Sequence, residues 1–270
     1  MVKLTKLSDA SPFLRTLWYG EPGTGKTTAA AHAAKHGRTV IIDAEGGVMA
    51  QALEQFDIDH DNIERYVWCG TDDLTDLSHD LFADPPFAVV VDSASELHDL
   101  ILAQAQKDRL AGGGRDRHPG ISIGDHGVAT AWHKAFLRDI RLIDSHVLWT
   151  AQEDSTQDED TGIKSIGPRL PNKMRIALTG CVDQIIRTET RVIDEDEPEW
   201  YVGTAVRRGI AAGKDRTSTL PIGIVDPTFD RIWDYFTGTI TEDTDTITAD
   251  YVTAKRKADE AKQARQTAKS

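Results

Sequence analysis

Four short stretches, at 14–19, 38–43, 87–92 and 146–152, are dominated by apolar and β-branched residues with little polar alternation. Runs of this kind predict strands covered on both faces, as in a parallel sheet. A weaker strand is predicted over 63–68. Between the strands, apolar positions recur at helical spacing. Helices are predicted over 27–36, closed by Gly37, over 48–56, and over 72–82 with Thr71 as N-cap. Two more are predicted over 93–110, with Leu97, Leu100, Ile101 and Ala105 on one face, and over 128–143, with Trp132, Phe136, Leu137 and Ile140 inward. Strands alternating with helices predict an α/β fold, with a mostly parallel central sheet flanked by helices and ligands at the carboxyl ends of its strands.

The pattern lapses twice. Residues 111–127, opened by Gly112-Gly113-Gly114, and residues 153–168, acidic at first, predict long polar loops. Past Pro171 it changes character: 182–190 and 200–207 predict antiparallel strands joined by an acidic turn, an antiparallel extension near the C-terminal part. Lys214-Asp215-Arg216 follows on a predicted loop. Residues 1–12 form a polar lead-in, 13–240 one domain, and 241–270 a polar, partly helical tail with Lys255, Arg256, Lys257, Lys262 and Arg265.

Composition narrows the function classes. The 270 residues are 39% hydrophobic, enough for one substantial α/β core. A formal net charge of −13 argues against a uniformly basic nucleic-acid binder, though not against a local basic groove. Cys69 and Cys181 are too far apart in sequence for a Cys-x-x-Cys metal site, and the nine histidines are read as packing or surface residues. The N-terminus has no long apolar run, so a cytoplasmic location without membrane association is expected.

The candidate chemistry begins at Gly20-Glu21-Pro22-Gly23-Thr24-Gly25-Lys26-Thr27, which satisfies the G-x-x-x-x-G-K-[ST] pattern of a P-loop (Walker A). Backbone N–H groups must curl around a phosphate, so glycines stand where a Cβ would collide or φ must be positive. Lys26 can then reach the β- and γ-phosphates, the Thr27 hydroxyl can ligate Mg²⁺, and Thr28 opens the following helix beneath the anion. An accidental match somewhere in such a chain has a chance of about one in a hundred, before the flanking strand and helix are considered. Asp92, ending the apolar run Phe87–Val91, is placed as the Walker B carboxylate that holds Mg²⁺ opposite Thr27; capping the next helix is the alternative. Glu45 and Gln152 also fall at predicted strand ends.

Ile42-Asp43-Ala44-Glu45 after a P-loop helix, then Asp57-Ile58-Asp59-His60-Asp61-Asn62 before a strand, then Val90-Val91-Asp92-Ser93, resembles the core of bacterial RecA recombinases. The whole pattern over about 12–225 resembles more closely the phage-encoded RecA-like AAA-type P-loop ATPases of single-strand annealing and recombination. The resemblance implies a RecA-like P-loop NTPase fold, ATP and Mg²⁺ as cofactors, and particular roles. Glu45 would activate the attacking water, or else is a turn acid beside Gly46-Gly47. Gln152 would sense the γ-phosphate, or else is a polar strand end. Lys214 and Arg216 would enter a neighbouring subunit's site as arginine-finger-like cations, or else sit on a solvated loop. The stretches at about 107–127 and 153–170 occupy the DNA-gripping places, where Lys107, Arg109, Arg115, Arg117 and Lys164, with Arg169 and Lys173, would meet phosphates. Neither loop has an aromatic residue for base stacking, so DNA binding or annealing assistance is expected rather than strand exchange.

The leading expectation is therefore a Mg²⁺-dependent ATPase of phage recombination or replication that binds single-stranded DNA as a homo-oligomer, alongside a phage annealing or single-strand-binding protein. A P-loop ATPase acting on protein partners, as loader or helicase accessory, is the alternative within enzymes. A nucleotide-binding switch with little turnover is the alternative outside them. The lack of a guanine-reading Asn-Lys-x-Asp segment leans towards ATP.

Overall fold

Six parallel strands carry the centre of the molecule. The computed structural model describes residues 13–112, 118–157, 164–191, 200–205, 211–221 and 223–240. Among these, the strands are β1 (Arg15–Gly20), β2 (Thr39–Asp43), β3 (Ile63–Val67), β4 (Ala88–Asp92), β5 (His146–Gln157), β6 (Lys164–Pro168), β7 (Gln184–Arg191), β8 (Trp200–Thr204), β9 (Lys214–Asp215) and β10 (Ile224–Val225). The sheet order is β10-β8-β7-β1-β5-β4-β2-β3, parallel from β7 to β3. β8 and β9 pair antiparallel with β7, and β10 with β8, giving the expected antiparallel extension. Register aligns the carboxyl ends: Gly20 lies opposite Gln152 and Asp43 opposite Asp92.

Successive strand residues face opposite sides, so the sheet separates two cores. On one side Leu17, Tyr19, Ile42, Val89, Val91 and Trp149 pack against α3 (Thr71–Ala83), α4 (Ala94–Ala111), α5 (Ile123–Ile140) and α6 (Asn172–Cys181). On the other, Trp18, Ile41, Val90 and Leu148 pack against α1 (Lys26–Ala31), its 3-10 continuation His32–Lys35, and α7 (Phe229–Thr237). The alanines at 29, 30, 31, 33 and 34 are all buried, and their short side chains let α1 lie close to the sheet. The remaining helix, α2 (Ala50–Glu54), is a short surface turn.

Several expectations are corrected. α5 starts at Ile123 rather than 128, because Ser122 and Asp125 form a capping box: the Ser122 hydroxyl accepts from the Asp125 N–H at 3.2 Å and the Asp125 carboxylate from the Ser122 N–H at 2.8 Å. Gly124 and Gly127 hide that turn from a periodicity reading. The second long loop is largely a hairpin, since β5 runs on to Gln157 and pairs antiparallel with β6, Glu153 facing Pro168 and Gln157 facing Lys164. Its residues are polar, so the ladder leaves no apolar trace. The N-cap of α3 is Gly70, not Thr71, and no side chain caps that end. Lys214-Asp215 forms a strand instead of a loop. Helices α6 and α7 had no sequence assignment, although α7 buries Phe229, Ile232 and Tyr235 and ends on left-handed Gly238. The lead-in 1–12, the tail 241–270, and Arg115 and Arg117 lie outside the described residues. Among the described residues no helix is long and apolar enough to cross a membrane.

Candidate active site

The loop from β1 to α1 is shaped by its glycines. A Cβ on Gly20 would run into the backbone carbonyl of Thr188 on β7 and lie 2.6 Å from that residue's hydroxyl. Gly23 and Gly25 hold φ of 80° and 76°, the left-handed region that glycine enters freely. Thr24 braces the turn, donating to the Glu21 carbonyl at 2.8 Å and sharing a 2.8 Å hydrogen bond with the Thr188 hydroxyl. The Lys26 amine donates to the carbonyls of Gly20 (3.1 Å) and Glu21 (2.8 Å). Burial lowers its pKa, and the charges of Glu45, Asp92 and Glu153 oppose that shift.

Asp92 ends β4 directly across from the loop. The Thr27 hydroxyl donates to its Oδ2 at 2.9 Å, and the Thr150 hydroxyl of β5 to its Oδ1. Burial raises the Asp92 pKa, against the effect of the two hydroxyls, and the charges of Glu45 and Asp43 raise it further. A buried carboxylate held by hydroxyls, with no cation hydrogen-bonded to it among the described residues, suits a hard divalent ion with oxygen ligands. Thr27 and Asp92 therefore fit Mg²⁺. The Asp92–Ser93 peptide is cis.

Glu45 stands on the loop after β2. Asp43, 1% exposed, shapes that loop by accepting from the N–H groups of Gly47 and Val48 at 3.2 Å each and from Arg65 Nε at 2.6 Å. The Ser93 hydroxyl donates to Glu45 Oε1 at 2.6 Å and the Gln152 amide to the same oxygen at 3.4 Å. Neither bond uses Oε2. A cavity of about 310 Å³ is lined by Pro22, Gly23, Gly25, Lys26, Thr27, Thr28, Glu45, Asp92 and Gln152. The topology thus brings the P-loop side chains together with Glu45 and Asp92, from the ends of β2 and β4, and Gln152, from the middle of β5. A second cavity of about 480 Å³ shares Gly25 and Thr28 and continues along α1 to Phe56, Asp226, Pro227 and Arg231.

A family model described as an AAA domain matches residues 13–217. The chain belongs to the AAA-domain family. The family match spans the P-loop, Glu45, Asp92 and Gln152 alike. Solved structures similar to this AAA-domain chain include a KaiC-like protein from the hyperthermophilic archaeon Pyrococcus horikoshii OT3, at 12% identity over 71% of this chain and 77% of that one, with a TM-score of 0.41. The flagellar accessory protein FlaH from Methanocaldococcus jannaschii is similar at 13% identity over 78% of this chain and 84% of that one, with a TM-score of 0.43. No curated protein matches the sequence.

The other singled-out residues of this AAA-domain chain lie away from the cavity. Lys214 donates to the carbonyls of Thr179 (2.7 Å) and Val182 (2.5 Å) and so caps the end of α6. Burial, and next the charge of Arg216, lower its pKa. Arg216 bonds the Gly180 carbonyl at 3.2 Å and lies 3.7 Å from Asp183. Arg109, expected to meet DNA phosphates, is in the last turn of α4. It pairs with Asp125 at 2.9 Å and donates to the carbonyls of His118 (3.1 Å) and Gly120 (2.8 Å), which ties α4 to α5. Arg169 pairs with Asp99 at 3.0 Å. Lys107 and Lys173 are exposed, and Lys164 begins β6.

The sequence alone assigns no site role to Ser93, Thr150, Thr188, Phe56 or Arg231. Ser93 had a local signal, its place directly after Asp92. The others reach the two cavities only through long-range packing and carry none.

Proposed function

We propose that this AAA-domain chain is a Mg²⁺-dependent, RecA-like ATPase. The observation that carries the reading is the convergence of Lys26, Thr27, Glu45, Asp92 and Gln152 on one cavity of about 310 Å³. The polyphosphate of ATP would lie there, with Lys26 exchanging its loop carbonyls for phosphate oxygens. Thr27 and Asp92 would hold Mg²⁺, which would supply neutralisation of the phosphate charge. The nucleoside would extend into the adjoining cavity, between Phe56 and Arg231. With Oε1 held by Ser93 and Gln152, Glu45 can take a proton from a water through Oε2. The water oxygen bonds to the γ-phosphorus as the bond to the bridging oxygen breaks, releasing ADP and phosphate.

The finer reading is an oligomer acting on single-stranded DNA in phage recombination or replication, in the host cytoplasm, with an annealing or single-strand-binding protein as partner. It is supported by the RecA-like motif order and by the position of Gln152 at the base of the β5–β6 hairpin, where its carbonyl accepts from the Arg169 N–H at 2.7 Å. Exposed Arg216 lines no part of its own chain's phosphate cavity and would be the cation of the pair to enter a neighbour's site, since the Lys214 amine is held by the Thr179 and Val182 carbonyls. A protein-directed ATPase is favoured instead by the engagement of Arg109 and Arg169 with carboxylates and by exposed Ile121, Ile123 and Val128 at the head of α5.

The test is ATP hydrolysis by wild type and Glu45→Gln, with and without single-stranded DNA, across a salt series. Glu45→Gln is expected to lower kcat about 100-fold or more while ATP still binds. Stimulation by DNA that fades with salt supports the DNA reading. Turnover indifferent to DNA points to a protein partner, and tight binding without turnover in wild type reduces the chain to a switch.

A further inference from the structure

Glu153 directly follows Gln152 on β5, and its side chain is only 11% exposed. Alternation along the strand puts it on the face of Trp149 and Ala151, at the carboxyl edge beside Tyr19, the residue before the P-loop. Arg187, on β7 opposite Tyr19, reaches across the end of β1 to meet it. The guanidinium grips Glu153 through two bonds, Nε to Oε2 at 2.8 Å and Nη2 to Oε1 at 3.0 Å, while Nη1 donates to Glu189 at 3.3 Å. A two-bond fork of this kind fixes a carboxylate in direction as well as charge.

The position matters because Gly20, where the P-loop begins, lies in register with Gln152 on one side and Thr188 on the other, the immediate neighbours of Glu153 and Arg187. The Glu153 charge also opposes the lowering of the Lys26 pKa. Three carboxylates, Glu45, Asp92 and Glu153, bear on Lys26, while the Arg187 cation sits against the third. Without Arg187 the balance of these five groups would move from −1 to −2, in a half-buried setting where charges are poorly screened.

We propose that Arg187 is a positioning residue of the phosphate site: it neutralises and orients Glu153, so that the carboxylate beside Gln152 does not repel an incoming polyphosphate. The inference rests on the ATPase reading. It adds that nucleotide affinity is set partly by an ion pair outside the P-loop, and that its effect grows with the number of phosphates on the ligand.

The test measures binding of ATP, ADP and adenosine to wild type, Arg187→Gln, Arg187→Lys, Glu153→Gln and the double variant Glu153→Gln/Arg187→Gln, with thermal unfolding alongside. Arg187→Gln is expected to weaken ATP about tenfold, ADP less, and adenosine not at all, with the loss shrinking as salt rises. Arg187→Lys should keep most of the affinity. The double variant should return ATP binding to within about threefold of wild type, because the carboxylate charge has gone with its partner. Glu153→Gln, which leaves the guanidinium paired with Glu189 alone, should bind ATP several-fold more tightly, and it carries the test if Arg187→Gln does not fold. Equal weakening of all three ligands, no rescue in the double variant, or ATP binding unchanged by Arg187→Gln or by Glu153→Gln overturns the proposal. A wild type that binds no nucleotide would instead sink the ATPase reading.

Discussion

Gly20 has no side chain because two strands close over it. Its Cβ position is occupied by the carbonyl of Thr188, part of the β7 backbone, which cannot rotate away. Gly20→Ala is therefore expected to cost about 3 kcal/mol in denaturant unfolding and to weaken nucleotide binding. Adding Thr188→Ala should not rescue it, since that change leaves the carbonyl in place; full rescue would show the clash to be with the hydroxyl. At this scale the site was largely legible. Phosphate chemistry dictates a local spacing of glycines, lysine and hydroxyl, and local spacing is what a sequence displays. Thr150 and Thr188 were not legible, because their contacts with Asp92 and Thr24 span 58 and 164 residues.

Elements announce themselves through apolar periodicity, and those built from polar residues stay silent. The apolar strands β1, β2 and β4 lie within a residue of their expected bounds, whereas β6 and the distal half of β5 are strands only because they pair with each other. The start of α5 is held by a cap rather than by an apolar stripe. Ser122→Ala is accordingly expected to cost about 1 kcal/mol of stability, read in denaturant unfolding, with the KM for ATP unchanged because the cap residues line neither cavity. A change in KM would show that the α4–α5 connection communicates with the site. Lys214 makes a related point. A basic residue after a strand reads as a solvated or partner-seeking cation, and only the fold shows its amine closing the end of α6.

For the whole molecule, buried histidines set the response to acid. His146 accepts from the Leu14 N–H at 3.0 Å and packs edge-on against Trp233, and burial holds its pKa down to about 4. His133, stacked on His98 between α5 and α4, is held down to about 3 by burial and then by the charge of His98. Both are neutral when folded and protonate more readily when unfolded. The stability they contribute is full above about pH 6.5 and is lost as pH falls from there towards 4, with His146 alone accounting for about 3 kcal/mol. Asp92 works with the opposite sign, its raised pKa offsetting part of the loss in more acid solution. Denaturant unfolding at pH 7.5, 6, 5 and 4.5 should show a decline that starts well above the carboxylate range; a flat profile between 7.5 and 5 would contradict it. By itself the sequence determined the α/β class, the P-loop and the acidic strand ends, because these follow from local spacing and from apolar runs that need no partner to be recognised. Tertiary structure alone decided that Ser93 and Gln152 hold one oxygen of Glu45, that Glu153 is locked by Arg187, and that Arg109 and Lys214 brace helices. Each of those depends on which distant strands lie side by side, a property of the sheet order rather than of any one segment.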